Sequence, residues 1–167
     1  MGAAGPARES NEASRRLRIA CFSGPNLQLL GQREPDVYGT ETLAAIHARL
    51  HATAACLDID LDARQTNHEG TLCDWIAELP GTADGLLLNA GAYTHTSIAL
   101  LDALRGTGVV CVEVHLSNPE AREPFRRVSR VAAACIGKVC GFGGDSYLLA
   151  LDGLVRVLRA SAPAPRP

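Results

Sequence analysis

Runs typical of β-strands alternate with runs typical of α-helices along most of this 167-residue chain. Most strand-like runs are apolar, the second alternates aspartate with apolar residues as in an edge strand, and the helix-like runs carry apolar residues every three or four positions. The predicted strands are Leu17–Ser23, Asp58–Arg64, Gly85–Asn89, Val109–Val114 and Ala133–Val139, and the predicted helices are Thr40–Leu57, Gly70–Leu79, Thr96–Arg105 and Asp145–Arg159. Such alternation favours a parallel sheet with helices on both faces. We therefore expect an α/β protein with a five-stranded parallel sheet.

One domain, residues 17–160, accounts for these elements, while residues 1–16 and 161–167 lack apolar periodicity and are predicted to be disordered tails. The net charge of −2 gives no reason to expect nucleic acid as a partner. The apolar runs are too short for a membrane span, and no signal-type segment is present, so we expect a cytoplasmic protein. The six cysteines form no C-x-x-C pair, which favours reduced core cysteines over disulfides or zinc ligands.

Polar loops follow most of the predicted strands. In parallel sheets, ligands bind beyond the carboxyl ends of the strands. The first such loop, Gly24–Gly39 (GPNLQLLGQREPDVYG), is much longer than the two to six residues that usually join a strand to a helix. The others are Gln65–Gly70 (QTNHEG), Asn89–Ser97 (NAGAYTHTS) and His115–Arg127 (HLSNPEAREPFRR). We therefore expect a functional site at this edge of the sheet.

The first loop places Arg33 five residues before Tyr38. A tyrosine has an ordinary pKa of about 10, and a nearby guanidinium favours the phenolate over the phenol. Lowering that pKa by about two units corresponds to roughly 3 kcal/mol. The pair is therefore a candidate for an activated base, facing the same crevice as His95 and His115.

Each of these residues also has an ordinary structural explanation. Tyr38 can tether its loop, Arg33 and Glu34 can form a surface ion pair of little energetic value, and both histidines can be simple loop residues. Asn89 and Thr96 suit turns and helix caps, and Arg122, Arg126 and Arg127 suit a solvated face. Their joint occurrence at one end of the sheet favours the functional interpretation.

Two other motifs are weaker candidates. His47 and His51 have the i, i+4 spacing of some zinc sites, but no third ligand accompanies them, which favours a solvated helix face. The glycine-rich run Gly141–Ser146 (GFGGDS) follows the last strand, too late for a dinucleotide-binding unit, and is predicted to be a tight turn. Neither a metal site nor a cofactor site is predicted.

Taken together, the first loop, QTNHEG, LNAGAYTHTS, EVHLSNPEAREPFR and GFGGDSYLLAL resemble the type II 3-dehydroquinate dehydratases from about Arg18 to Leu158. The resemblance implies a flavodoxin-like three-layer fold with strand order 2-1-3-4-5. It implies an enzyme that needs neither metal nor organic cofactor and assembles trimers into a dodecamer. The implied reaction converts 3-dehydroquinate to 3-dehydroshikimate, in the shikimate pathway or in quinate breakdown.

The same resemblance assigns catalytic roles. Tyr38 corresponds to the base that removes a proton beside the substrate ketone, and Arg33 to the cation that activates it. Asn26 corresponds to the residue that stabilises the enolate, through a bound water. His115 corresponds to the acid that protonates the departing hydroxyl. Glu113, two residues earlier on the strand, is placed to orient or charge that imidazole.

Substrate-binding roles follow by the same correspondence. The backbone amides of Leu116 and Ser117, with the Ser117 hydroxyl, match a cradle for the substrate carboxylate. The groups that hold the ring hydroxyls match Asn89, His95 and Arg126, and Arg122 belongs to the same loop. Asp102 matches a residue that reaches into a neighbouring subunit's site.

The departures from the family pattern, at Ser23, Gln28 and Ser146, touch no residue with a chemical role. A flavodoxin-like module that binds flavin or a regulatory anion is one alternative, although the first loop lacks a Ser/Thr-rich phosphate cradle and the first strand ends without an acidic pair. A non-catalytic relative is another, disfavoured by the presence of Arg33, Tyr38 and His115 together.

Overall fold

The computed structural model describes residues 15–31 and 40–161, and within them lies one parallel sheet. Its strands are β1 (Leu17–Ser23), β2 (Ile59–Gln65), β3 (Gly85–Asn89), β4 (Val110–His115) and β5 (Gly137–Cys140). Every pairing is parallel, and the order is β2-β1-β3-β4-β5. The predicted parallel sheet and its strand order are confirmed.

Helices cover both faces of the sheet. They are α1 (Leu43–Cys56), α2 (Glu69–Ala77), α3 (Tyr93–Thr96), α4 (Ile98–Thr107) and α5 (Asp145–Ser161). The alternation of side chains along a strand divides the core into two layers. Leu87 packs with α1 and α5 on one face, whereas Leu86 and Leu88 pack with α2 and α4 on the other. The molecule is therefore the three-layer α/β fold that the sequence predicts.

Side-chain caps set where two helices begin. Thr42 Oγ1 accepts a hydrogen bond from the Ala45 N–H at 3.2 Å, so α1 begins at Leu43 rather than at Thr40. Ser97 Oγ accepts from the Leu100 N–H at 2.9 Å, so α4 begins at Ile98. These oxygens satisfy N–H groups that have no partner within their own helix.

The predicted fifth strand, Ala133–Val139, is wrong in position. Val131–Ala134 forms a 3-10 helix instead, and the strand is Gly137–Cys140, which pairs with Val112–His115 of β4. Alanine has little preference for strands, and the Ala132 N–H is held by the Ser129 hydroxyl at 3.0 Å, which favours the helical turn. Buried Val131 then anchors this turn in the core.

Several other predictions can be compared with the described residues. The six cysteines are free thiols, but only Cys21 and Cys111 are buried in the core, so the prediction of core cysteines is wrong for exposed Cys56 and for the three that are partly exposed. Within the two described stretches, no group of three or more His, Cys, Asp or Glu side chains is placed to hold a metal ion. The same stretches contain no helix that is long and apolar enough to cross a membrane. Most of both predicted tails, residues 1–14 and 162–167, lies outside the described residues.

Candidate active site

A cleft opens at the carboxyl ends of β1, β3 and β4, where the sequence places the polar loops. It brings together seven of the predicted site residues: Asn26, Asn89, His95, His115, Leu116, Ser117 and Arg126. Arg122 lines the same cleft. Residues from three loops that are far apart in sequence therefore share one surface.

The turns that follow β1 and β3 approach each other closely beside this cleft. A Cβ on Gly24 would lie 2.5 Å from the carbonyl oxygen of Ala90, so only glycine fits there. The Gly24 N–H donates to the Asn89 carbonyl at 2.8 Å, and Gly91 has a φ of 57° that favours glycine. Asn26, two residues after Gly24, lines the cleft. Its φ is 66°, and its N–H donates to Asn67 Oδ1 at 2.9 Å.

An imidazole and a carboxylate form the innermost part of the site. Glu113 is completely buried and His115 is 8% exposed, which leaves the imidazole as the member that reaches the cleft. His115 Nε2 lies 2.7 Å from Glu113 Oε1. The alternation along β4 puts both side chains on one face of the sheet, as predicted.

Glu113 keeps its charge although it is buried. Burial raises the pKa of this carboxyl, but other effects outweigh it and hold the pKa below its ordinary value. They are the hydrogen bond and charge of His115, the hydrogen bond of Ser129 and the charge of Lys138. An ionised carboxylate only accepts hydrogen bonds, so Nε2 of His115 carries the shared hydrogen. Nδ1 is then the nitrogen on which His115 can carry a transferable proton.

Asn89 is held by a buried network behind the cleft. Its Nδ2 donates to the hydroxyl of Tyr147 at 2.9 Å, and its Oδ1 accepts from the Gly91 N–H at 3.2 Å. The Tyr147 hydroxyl also lies 3.0 Å from Ser23 Oγ. Burial, with a smaller effect of Cys21, raises the pKa of Tyr147, so this hydroxyl stays protonated and fixes the orientation of the Asn89 amide.

His95 lies on α3, not in an irregular loop as predicted. Its Nδ1 is 2.8 Å from the carbonyl oxygen of Val128. Because a carbonyl only accepts hydrogen bonds, Nδ1 carries the hydrogen and Nε2 of the neutral ring is an acceptor. The ring also meets the edge of Phe125, with 6.5 Å between centroids. His95 can therefore accept a hydrogen bond from a hydroxyl group in the cleft.

Two guanidinium groups give the cleft a positive side. Arg126 Nε donates to Glu123 Oε2 at 2.9 Å, and its guanidinium carbon lies 4.9 Å from the centre of the Phe125 ring. Arg122 Nε lies 3.4 Å from the same Glu123 oxygen. Both guanidinium groups contact the carboxylate of Glu123, and both arginines line the cleft. This arrangement suits an anionic ligand.

Four predicted site residues remain, of which Glu113 is buried and does not line the cleft. Asp102 is exposed on α4 and does not line it. Arg33 and Tyr38 lie outside the described residues. The described residues on either side of that gap lie close together, because a Cβ on Gly31 would be 2.9 Å from the carbonyl oxygen of Thr40.

Sequence reasoning missed the residues that support the site from behind. Ser129 and Thr94 hydrogen-bond to Glu113, and Tyr147 and Ser23 support Asn89. Each reaches its partner across the fold, which no local pattern encodes.

Comparisons with known proteins point to one family. The family model described as dehydroquinase class II matches residues 17–155. The 3-dehydroquinate dehydratase of Rhizobium johnstonii is 52% identical over 139 residues, which cover 83% of this chain and 96% of that protein. The one of Gemmatimonas aurantiaca is 54% identical over 140 residues, covering 84% and 92%. The crystal structure of type II dehydroquinase from Butyrivibrio crossotus superimposes with a TM-score of 0.82 at 37% identity, covering 84% of this chain and 98% of that one.

Proposed function

This chain belongs to the class II dehydroquinase family, and from that premise we propose that it converts 3-dehydroquinate to 3-dehydroshikimate through an enolate. Its own side chains supply the acid and the base, with neither a metal nor an organic cofactor. The observation that carries the proposal is the buried Glu113–His115 pair in the innermost part of a cleft that also presents Asn89, His95 and Arg126.

His115 is the acid. In the imidazolium form it holds one hydrogen toward the Glu113 carboxylate and carries the second on Nδ1. The enolate oxygen re-forms the ketone, and the electron pair it releases forms the carbon–carbon double bond of the product as the carbon–oxygen bond of the leaving hydroxyl breaks. The electron pair of that broken bond goes to the hydroxyl oxygen, which takes the Nδ1 proton and departs as water. A buried carboxylate 2.7 Å from Nε2 stabilises the imidazolium before this transfer and fixes the ring throughout.

Tyr38 is the base, and Arg33 is the cation that activates it. This half of the mechanism is supported by the match of the first loop to the family pattern. The phenolate takes a proton from the carbon beside the ketone, and the bonding electrons move to the ketone oxygen to form the enolate. Asn26 stabilises this oxygen through a bound water.

The loop after β4 binds the substrate carboxylate. The backbone amides of Leu116 and Ser117 and the Ser117 hydroxyl form the cradle, while Asn89, His95 and Arg126 hold the ring hydroxyls. The position of all these residues around one cleft supports this division. Asp102 is exposed on α4 and completes the site of a neighbouring subunit in a dodecamer built from four trimers.

The test is a direct assay of the purified protein with 3-dehydroquinate, in the presence of EDTA and without added nicotinamide. The conjugated enone of the product absorbs in the ultraviolet, so absorbance should rise with time, and mass spectrometry should show the loss of one water. Absence of product from protein that is folded by circular dichroism would reject the proposal.

We place this reaction in the shikimate pathway, which leads to aromatic amino acids. Quinate breakdown uses the same chemical step and is the alternative. Deletion of the gene in its host separates them. A biosynthetic role predicts that the deletion strain needs aromatic amino acids, whereas a catabolic role predicts loss of growth on quinate alone.

A further inference from the structure

We propose that Ser129 is a positioning residue for the acid His115, and that it acts by holding the carboxylate of Glu113 in place. The proposal rests on the proposed function, because it assumes that His115 is the acid. Ser129 belongs to the connection between β4 and β5 and does not line the cleft. No role follows for it from substrate contact.

The Ser129 hydroxyl reaches both oxygens of the buried carboxylate. Its Oγ lies 2.8 Å from Glu113 Oε1 and 3.0 Å from Oε2. The Ala132 N–H donates to the same Oγ at 3.0 Å. That bond occupies a lone pair of the serine oxygen, so the single hydroxyl hydrogen is directed at the carboxylate.

This contact determines how the carboxylate meets the imidazole. Oε1 accepts from His115 Nε2 at 2.7 Å and from the more distant Thr94 hydroxyl at 3.4 Å. Ser129 spans both oxygens and thereby restrains rotation of the carboxylate about its last bond. A carboxylate fixed in this rotamer holds His115 Nε2 and leaves Nδ1 to deliver the proton.

Contacts with α3 hold the residues on either side of Ser129 in place. The residue before it, Val128, accepts a hydrogen bond from His95 Nδ1 at 2.8 Å. The residue after it, Arg130, donates its N–H to the Thr94 carbonyl at 2.8 Å. The segment 128–130 therefore connects a substrate-binding histidine on α3 with the acid pair on β4.

The charged and titratable groups around Glu113 come from two strands. His115 and Cys111 lie on β4, and Lys138 lies opposite Glu113 on β5. All three side chains are still present when Ser129 is replaced. Because the hydrogen bond of Ser129 lowers the pKa of Glu113, removal of the hydroxyl should raise that pKa. The acid limb of the kcat profile should then move to higher pH.

The primary test compares three Ser129 variants. Ser129→Ala should lower kcat about 10- to 100-fold, the usual effect of losing a hydrogen bond to a charged group, with little change in KM. Threonine and valine have nearly the same size, and only threonine keeps a hydroxyl. Ser129→Thr should therefore retain most of kcat and the wild-type pH profile, whereas Ser129→Val should lose both.

Loss of the hydrogen bond from the Ala132 N–H to Ser129 needs its own control. Ser97→Ala removes a buried serine whose Oγ likewise accepts an N–H three residues on, without contact to Glu113. It should lower Tm as much as Ser129→Ala does and leave kcat near the wild-type value. If the two variants lose the same fraction of kcat, Ser129 has only a structural role.

A double-mutant cycle makes the mechanism explicit. In a Glu113→Gln background, Ser129→Ala should lower kcat little further, because the carboxylate through which it acts is already gone. Multiplication of the two single effects would overturn the proposal. Wild-type protein that fails to turn over 3-dehydroquinate would reject the proposed function instead, whereas active wild type with an equally active Ser129→Val variant would reject only the role of Ser129.

Discussion

The Nε2 atom of His115 and the Oε1 atom of Glu113 lie 2.7 Å apart, on two side chains that β4 directs to the same face of the sheet. The carboxylate is completely buried, while the imidazole lines the cleft. Because the carboxylate lies behind the imidazole, the imidazole is the member of the pair that can present a proton to the cleft. It also makes the two residues separable by experiment.

Replacement of His115 tests the acid. His115→Asn should lower kcat about 10²- to 10⁴-fold, the range for loss of a general acid, because no group then protonates the leaving hydroxyl. The substrate should still bind and raise the Tm, since Asn89, His95 and Arg126 remain. The measurements are steady-state kinetics and thermal shift, and a kcat within about threefold of wild type would contradict the role.

Replacement of Glu113 tests its charge through the pH dependence of stability. The pKa of this carboxyl is lower in the folded state than its ordinary value. Its contribution is therefore fully present above the pKa of the unfolded chain, about 4.3, and is lost as the pH falls through the lower pKa of the folded state. Urea unfolding from pH 7 to pH 3 should show a steeper loss of unfolding free energy for wild type than for Glu113→Gln. Parallel curves would show that Glu113 is not a stabilised carboxylate.

Replacement of Tyr147 tests the support behind Asn89. Tyr147→Phe removes the hydroxyl that contacts the buried Asn89 amide and Ser23, and it should lower the free energy of unfolding by about 1–3 kcal/mol. A less well oriented Asn89 should raise KM about fivefold, equivalent to roughly 1 kcal/mol of binding.

Tyr93→Phe is the matched control, because the Tyr93 hydroxyl donates to the Asn67 carbonyl at the surface. It should leave KM unchanged. An equal rise of KM in both variants would show that the network behind Asn89 has no specific effect on the substrate.

Much of the fold was predictable because its signals are local. The aliphatic runs at Ile19–Phe22 and Leu86–Leu88 and the periodicity of α5 identify strands and a helix without knowledge of the rest of the chain. The fifth strand was misplaced because its neighbours decide its limits. Pairing with β4 selects Gly137–Cys140, and the hydrogen bond from the Ala132 N–H to Ser129 Oγ favours the 3-10 helix at Val131–Ala134.

In the candidate site, too, the residues that line the cleft were predictable from the sequence and the contacts that orient them were not. The residues that line the cleft follow strand ends, so topology placed Asn89 and His115 correctly. The contacts that orient them, Tyr147 to Asn89 and Ser129 to Glu113, join positions 58 and 16 residues apart. Such contacts depend on tertiary packing, and only the structure gives them.

Mixed assemblies test the proposal for Asp102. Asp102→Asn and Tyr38→Phe should each impair activity when expressed alone. Coexpression should form assemblies in which an intact Tyr38 meets an intact Asp102 from a neighbouring subunit, and activity should exceed that of either variant. Activity that never exceeds the sum of the two would place Asp102 outside any shared site, and size-exclusion chromatography would verify that assemblies form.

Tyr38 is the base in the proposed mechanism, and one variant tests this role directly. Tyr38→Phe removes a single oxygen, the one that accepts the proton beside the ketone. The measurement is the rate of enone absorbance from 3-dehydroquinate, with Tyr93→Phe as the matched control and thermal shift to verify that substrate still binds. We predict that turnover falls by at least about 10³-fold while substrate protection persists. Turnover near the wild-type rate would show that another group removes the proton.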